Sequence, residues 1–115
     1  MEKLSFGKHV RIRKSKDYST VYQQGMRGNS EHLTVIARKN QAGISRLGLT
    51  VSKKVGNAVQ RNRIKRLLRE FFRLNKSRLS IPQDIVIIAK KNASLLTYQD
   101  VCRELESLLI KKLGS

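Results

Sequence analysis

One segment constrains this chain more than any other. From about Ala58 to about Leu79 the residues read as a single long helix with two chemically opposite sides. At about 100° per residue, Ile64, Leu67, Leu68, Phe71, Phe72 and Leu74 fall on one continuous arc. Arg61, Asn62, Lys65, Arg66, Arg69 and Arg73 fall on the other, with Arg63 and Glu70 near the boundary. The apolar arc must pack on a sheet or on other helices. The polar arc is less ordinary. Solvated faces usually mix signs, because opposite charges four residues apart stabilise a helix. Here Arg61, Lys65, Arg69 and Arg73 follow one another at i,i+4, and each such pair costs an isolated helix roughly 0.2–0.5 kcal/mol. Only Glu70 can relieve them locally. A polyanion laid along this ridge would turn the repulsion into attraction.

The rest of the chain points the same way. It has 115 residues, room for one domain spanning 1–115, and 25 Lys and Arg against 8 Asp and Glu, a formal charge of +17. Self-repulsion at that level destabilises a compact state, so a polyanionic partner is expected. Nucleic acid comes first and an anionic membrane surface second. The membrane reading is weaker, because no stretch approaches the ~20 apolar residues of a spanning helix. The basic start, Met1 to Arg13, has no apolar run after it and does not read as a secretory signal. A single cysteine, Cys102, excludes an internal disulfide and a thiolate metal cluster. It fits a reducing, cytoplasmic setting. Arginine dominates the ridge, and its planar fork can donate two hydrogen bonds to one phosphate.

Around the long helix the pattern alternates between types of element. Residues 1–14, with Lys3, Lys8, Arg11, Arg13 and Lys14, read as a basic N-terminal arm. Ser15 can cap a short helix that Gly25 ends, with Tyr18, Val21 and Tyr22 on one face. Glu31 to Lys39 alternates as a strand, Asn40 to Ile44 reads as a turn, and Leu47 to Ser52 alternates again. The two strands are expected to form an antiparallel pair across that turn. Gly56 and Asn57 break the second strand and start the long helix. Pro82 closes the region beyond it. The run Ile85-Val86-Ile87-Ile88, within Asp84 to Lys90, suits a central strand buried on both faces. Thr97 and Asp100 match a capping box before a last helix, reaching near Gly114, with Val101, Leu105, Leu108 and Leu109 as its buried stripe. The whole is an α+β fold. Leu47 to Ile88 would form a βαβ unit, its strands parallel if adjacent.

No catalytic grouping stands out. His9 and His32 have no ligand cluster at metal spacing. Cys102 reads as a small packed hydrophobe, and Gly56 alone is no phosphate-cradling loop. Asp17 and Asp84 are isolated in sequence and could meet only through the fold. Tyr18 and Tyr22, one turn apart, admit two readings: ordinary core residues, or ring surfaces lining a groove for unpaired bases.

The residues from Leu47 to Glu70 read LGLTVSKKVGNAVQRNRIKRLLRE. This resembles the protein subunit of bacterial ribonuclease P. The signature is Arg61-Asn62-Arg63, with Gly56 and Asn57 before it and Lys65, Arg66 and Arg69 after it. Asp17-Tyr18 with Tyr22 is similar to the family's first helix, and DIVIIAKK to its later strand, so the resemblance covers practically the whole chain. It implies a compact α/β sandwich, with a mixed sheet of about four strands, three helices and a left-handed βαβ crossover. The general rule for such crossovers would give the other hand. It implies a protein cofactor of a ribozyme that removes the 5′ leader of precursor tRNA, with catalysis by the RNA and Mg2+ held mainly by that RNA. By the resemblance, Lys53, Lys54, Arg61, Asn62, Arg63, Lys65, Arg66 and Arg69 contact the catalytic RNA. Arg11, Lys14, Tyr18 and Tyr22 line the leader's cleft. Relatives often carry Phe at the two tyrosines and some carry an aromatic at Ile36, so no stacking contact is carried over to Ile36. Two other function classes remain to be weighed, a ribosomal or RNA-chaperone protein and a self-sufficient protein nuclease. The Lys53 to Glu70 match stands against the first, and the lack of acidic or His clusters against the second.

Overall fold

A computed structural model describes Arg11, Ile12 and residues 15–113. The run Ile85 to Ile88 decides the layout. It has no polar side chain to offer solvent, so it is buried by neighbours on both edges and layers on both faces. It forms β4 (Gln83–Ala89). On one side lies β2 (Leu33–Lys39), antiparallel, and beyond it β1 (Met26–Asn29), also antiparallel. On the other side lies β3 (Arg46–Thr50), parallel to β4, with Leu47 opposite Ile85 and Leu49 opposite Ile87. The order is β1-β2-β4-β3, a mixed four-stranded sheet.

This order corrects one expectation. β2 and β3 do not pair as a hairpin, because β4 lies between them. The loop that looked like a tight turn instead passes over the start of β4. The Asn40 amide donates to Pro82 O, its side-chain amide to Asp84 Oδ1 at 2.7 Å, and the Gln83 amide to Ser45 Oγ. The most apolar strand takes the central place, and β1, whose MRGN carries no strand pattern, takes an edge that sequence reasoning missed. The βαβ expectation holds, since β3 and β4 are adjacent and parallel.

Helix α1 (Ser15–Gln24) covers one face of the sheet through Val21, with Ile12, Ile36 and Val86 buried beside it. It begins at Ser15 itself, one position before the expected start. Helices α2 (Ala58–Asn75) and α3 (Tyr98–Leu105) cover the other face, where Ile64, Leu68, Phe71 and Phe72 meet Leu33, Val35, Ile85 and Ile87. After Asn75 the chain tightens into a 3₁₀ turn, Lys76–Arg78, so α2 stops short of Leu79. The Thr97–Asp100 capping box forms as expected. α3 runs on as a π-helical stretch, Glu106–Leu113, and Val101, Leu105, Leu108 and Leu109 are all buried. Cys102 packs half-buried against this core. Burial, then contact with Cys102, pushes the Tyr98 phenol up to about 12.

Polar ties fix the layers to one another. Arg46 grips Asp84 with two hydrogen bonds, Nε to Oδ1 at 2.8 Å and Nη2 to Oδ2 at 2.7 Å, and Asp84 is only 3% exposed. The third nitrogen of the same guanidinium lies 3.8 Å from Asp17 Oδ2 on α1. The two acids isolated in sequence thus share one arginine. Glu104 ties α3 to the start of β2. It accepts from the His32 amide at 3.0 Å and from the Ser30 hydroxyl, and lies 2.6 Å from His32 Nδ1. Sequence reasoning saw no such Ser, His and acid grouping. It is not a nucleophile arrangement, because serine and histidine each bond the acid rather than each other.

Candidate nucleic-acid interface

Local sequence sets where the cationic helix begins. Ser52 Oγ accepts from the Lys54 amide and starts a short 3₁₀ turn, Lys53–Val55, that buries Val55 and leaves both lysines exposed. Asn57 then caps α2. Its side chain accepts from the Gln60 amide while Gln60 Oε1 accepts from the Asn57 amide, each at 2.9 Å. A Cβ on Gly56 would come within 2.2 Å of that Gln60 oxygen, so glycine leaves the capping box its space. The Gly-Asn pair before the Arg61-Asn62-Arg63 signature is thus a device for starting the helix at a defined residue.

Along α2, Asn62 and Arg66 are exposed and Lys65 and Arg69 half-buried. Arg73 is held by Glu70 through two hydrogen bonds, 3.0 and 2.8 Å long, and this bonding keeps the Glu70 carboxyl below its ordinary range. Arg63 turns off the ridge, its Nη1 3.4 Å from Ser94 O. Two residues depart from the expected arcs. Arg61 is half-buried, with its Nε enclosed and unpartnered among the described residues. It stands seven residues before Leu68 and eleven before Phe72, both near-whole numbers of turns, so its stem runs along the edge of the core. Leu74, on the apolar arc, is 47% exposed, because its place is the outer margin of that arc beside Glu70 and Arg63.

The ridge is flanked by two depressions. One is lined by Asn62, Arg66, Arg69, Glu70 and Arg73. The other lies at the outer edge of β3, where Arg11, Ile12 and Tyr18 meet Leu47, Leu49, Lys65 and Arg69. Arg11 pairs with Leu47 in parallel fashion, and the Ile12 amide donates to Leu47 O at 3.0 Å. Residues assigned to two different RNAs by sequence, Arg11 and Tyr18 on one hand, Lys65 and Arg69 on the other, therefore share one concavity. Lys14, and the arm apart from Arg11 and Ile12, lie outside the described residues.

The tyrosines lie over the α1 side of β3. Tyr18 is half-buried, and its ring rests on Gly48, where a Cβ would come within 2.7 Å of its hydroxyl and Cζ. Burial raises the Tyr18 phenol, and a backbone hydrogen bond from Leu49 works against that rise. Tyr22 is 38% exposed, its ring centroid 6.3 Å from that of Tyr18. Neither ring is sealed in the core. Ile36 is fully buried and offers no stacking surface. The strand alternation marked Gly48 and Thr50 as the face opposite Leu47 and Leu49 but gave them no role; the structure sets that face under Tyr18 and Tyr22.

A ridge, two depressions and two half-open rings stand on a mixed sheet with three helices. The Ribonuclease P family model matches residues 6–113, nearly the entire chain. The chain belongs to the ribonuclease P protein family. A ribonuclease P protein component from Syntrophus aciditrophicus is 56% identical over 112 residues, covering 97% of this chain and 94% of that protein. The solved RNase P protein of Staphylococcus aureus is 37% identical, with a TM-score of 0.82 over 92% of this chain and 98% of that one. The Thermotoga maritima RNase P protein is 35% identical, with a TM-score of 0.80 over 90% and 98%. Membership makes the chain a ribonuclease P protein component, part of a tRNA-processing ribonucleoprotein. Among the described residues no helix is long and apolar enough to cross a membrane.

Proposed function

We propose that the chain is the protein cofactor of the ribonuclease P ribozyme. Its α2 ridge binds the catalytic RNA, and the α1–β3 groove binds the 5′ leader of precursor tRNA. The holoenzyme then cleaves one phosphodiester to give the mature 5′ end, in the cytoplasm. The observation that carries this is the ridge itself, Asn62, Lys65, Arg66 and Arg69 along one side of a helix whose single acid, Glu70, is already committed to Arg73. Lys53 and Lys54 extend it at the N-terminal end, and Arg61 supplies a guanidinium at its border. Arg11, Tyr18 and Tyr22 serve the leader, with Lys14 assigned to it by the resemblance.

The donor set fits phosphate rather than a bare cation. Hard Mg2+ seeks several oxygen ligands, and each depression presents three cations, with Glu70, already bonded to Arg73, the one carboxylate among the lining residues described. RNA phosphates would therefore hold Mg2+, and the chain would screen the charge where two RNAs meet. Mg2+ activates water and stabilises developing charge in phosphodiester hydrolysis.

Cleavage of precursor tRNA by the catalytic RNA alone, the protein alone and both together tests this. Stimulation of the RNA at moderate Mg2+ is expected. Cleavage by the protein alone, or no stimulation, would overturn it. Affinity for the catalytic RNA should also fall steeply with salt, as counterion release requires.

A further inference from the structure

Two apolar side chains stand out in solvent on the cationic side of the molecule. Leu95 is 84% exposed and Val59 78%, the two most exposed large apolar side chains among the described residues. Both sit on fixed supports. Val59 lies in the first turn of α2, directly after the Asn57 cap. Leu95 ends a 3₁₀ turn, Ala93–Leu95, that Ala93 and Leu96 pin to the core from inside. The Ala93 amide donates to Lys90 O at 3.0 Å and the Leu96 amide to Ala93 O at 3.1 Å. The fold thus buries the neighbours of Leu95 and turns Leu95 itself outward.

Arg63 joins the two. It stands one turn after Val59, and its Nη1 lies 3.4 Å from the carbonyl oxygen of Ser94, the residue before Leu95. At about 100° per residue, Arg66 falls within about 20° of Val59 around α2, and Lys65 about 120° away. Val59 is therefore in line with the exposed Arg66, on the flank turned away from the concavity of Arg11, Tyr18 and Lys65. We propose that Val59 and Leu95 form an apolar platform for an unpaired base of the catalytic RNA, at the end of the ridge that holds its phosphates. This rests on the cofactor reading above and adds to it a contact that meets a base rather than a charge.

The surroundings of the pair select the occupant. Lys53 and Lys54 are exposed just before α2, and Lys91 just before the 3₁₀ turn. No Asp or Glu occurs from Lys53 to Arg69 or from Lys90 to Thr97. A second copy of the chain, at +17, would bring like charge to like. RNA brings both halves of what the surface asks for, phosphates for the cations and, where a base has left its stack, a flat face for the apolar pair. Aliphatic side chains do the same where they press against opened base steps. A single exposed apolar residue is ordinary on any surface. Here two meet across one arginine, continuous with a face whose charge already calls for RNA.

The test uses the full chain and the catalytic RNA, with affinity measured over a series of salt concentrations. Leu95→Ser and Val59→Ser should each weaken the complex by about three- to tenfold at every salt concentration. The slope of log affinity against log salt should stay as it was, because an apolar contact releases no counterions. Arg66→Gln should lower affinity and flatten that slope by about one. Leu95→Met should keep the affinity of the unaltered chain. Chemical probing of unpaired bases in the catalytic RNA should find one that the protein shields and that Leu95→Ser opens. Unfolding midpoints should hold for both serine variants, since both side chains already face water. Unchanged affinity in both, or a loss that comes with a flatter slope, would overturn the platform and leave the cofactor reading standing; unchanged affinity would return the pair to solvent or to a protein partner. If the unaltered chain fails to bind the catalytic RNA, the cofactor reading falls, and the platform with it.

Discussion

The hydroxyl of Tyr22 meets the hydroxyl of Thr50 at 3.3 Å, the last of three contacts between alternate residues of β3 and helix α1. Arg46 faces Asp17, Gly48 faces Tyr18 and Thr50 faces Tyr22. An ion pair, a close approach and a hydroxyl pair hold α1 in one register on the strand, and that register sets where the two rings lie.

Tyr22→Phe removes the contact with Thr50 and keeps the ring. Because stacking of a base on an aromatic ring is worth about 1–3 kcal/mol, Tyr22→Ala should weaken binding of precursor tRNA by about tenfold or more, and Tyr22→Phe by much less. Equilibrium binding to the holoenzyme separates the two, and equal losses would place the function in the hydroxyl.

Gly48→Ala brings a methyl against the Tyr18 ring and must displace it. Precursor affinity should fall while mature tRNA affinity holds. Adding Tyr18→Ala should cost little more in binding, since the ring has already lost its place, and a double-mutant cycle reads that coupling directly. Additive losses would show that the ring tolerates the methyl.

Arg46→Ala leaves the buried Asp84 carboxylate, among the described residues, with only the Asn40 side-chain amide. Breaking a buried ion pair on one side costs about 3–5 kcal/mol, and some of that should be recovered here because Arg46 keeps a quarter of its surface exposed. A loss of roughly 3 kcal/mol in denaturant unfolding is expected. Asp17→Asn removes only the 3.8 Å contact and should cost under about 1 kcal/mol. A comparable cost for the two would move the weight of the network to α1.

Glu104 predicts a pH dependence. Burial works to raise its carboxyl, but hydrogen bonds from Ser30 and His32 outweigh it, leaving the group below its ordinary value of 4.5. A carboxyl lowered in the folded state stabilises it fully above that ordinary value, and the contribution is lost as pH falls through the folded value. Glu104→Gln should therefore flatten the acid limb of stability below about pH 5 and lower stability at neutral pH. An unchanged acid limb would assign acid unfolding to other carboxylates.

Much of this was legible because the signals were local. The helix with its cap, the central apolar strand and the Thr97–Asp100 box each lie within one segment, where periodicity and capping chemistry suffice. Strand adjacency was not local. Asn40 to Ile44 looked like a hairpin turn because β2 and β3 are neighbours in sequence, and only competition for the centre of the sheet, won by Ile85 to Ile88, separates them. The site divides the same way. Its cations could be found by charge, but the meeting of Arg11 and Tyr18 with Lys65 and Arg69 depends on a parallel bridge from Arg11 to Leu47 that no pattern announces. Arg61 shows the limit of a helical wheel drawn by charge, since its geometry places it at the core margin despite its chemistry.

That bridge has a further consequence. A sheet ends where its outermost strands leave amide and carbonyl groups unpaired, and such borders invite strands from other molecules. At one border stands β1, four residues long and carrying Arg27. At the other, Arg11 and Ile12 lie along β3 and use the Leu47 carbonyl themselves. The segment that walls the concavity thus also guards the molecule against growing into its own copies. A chain shortened past Ile12 would lose both at once, becoming poorer at holding a strand of RNA and readier to accept a strand of protein.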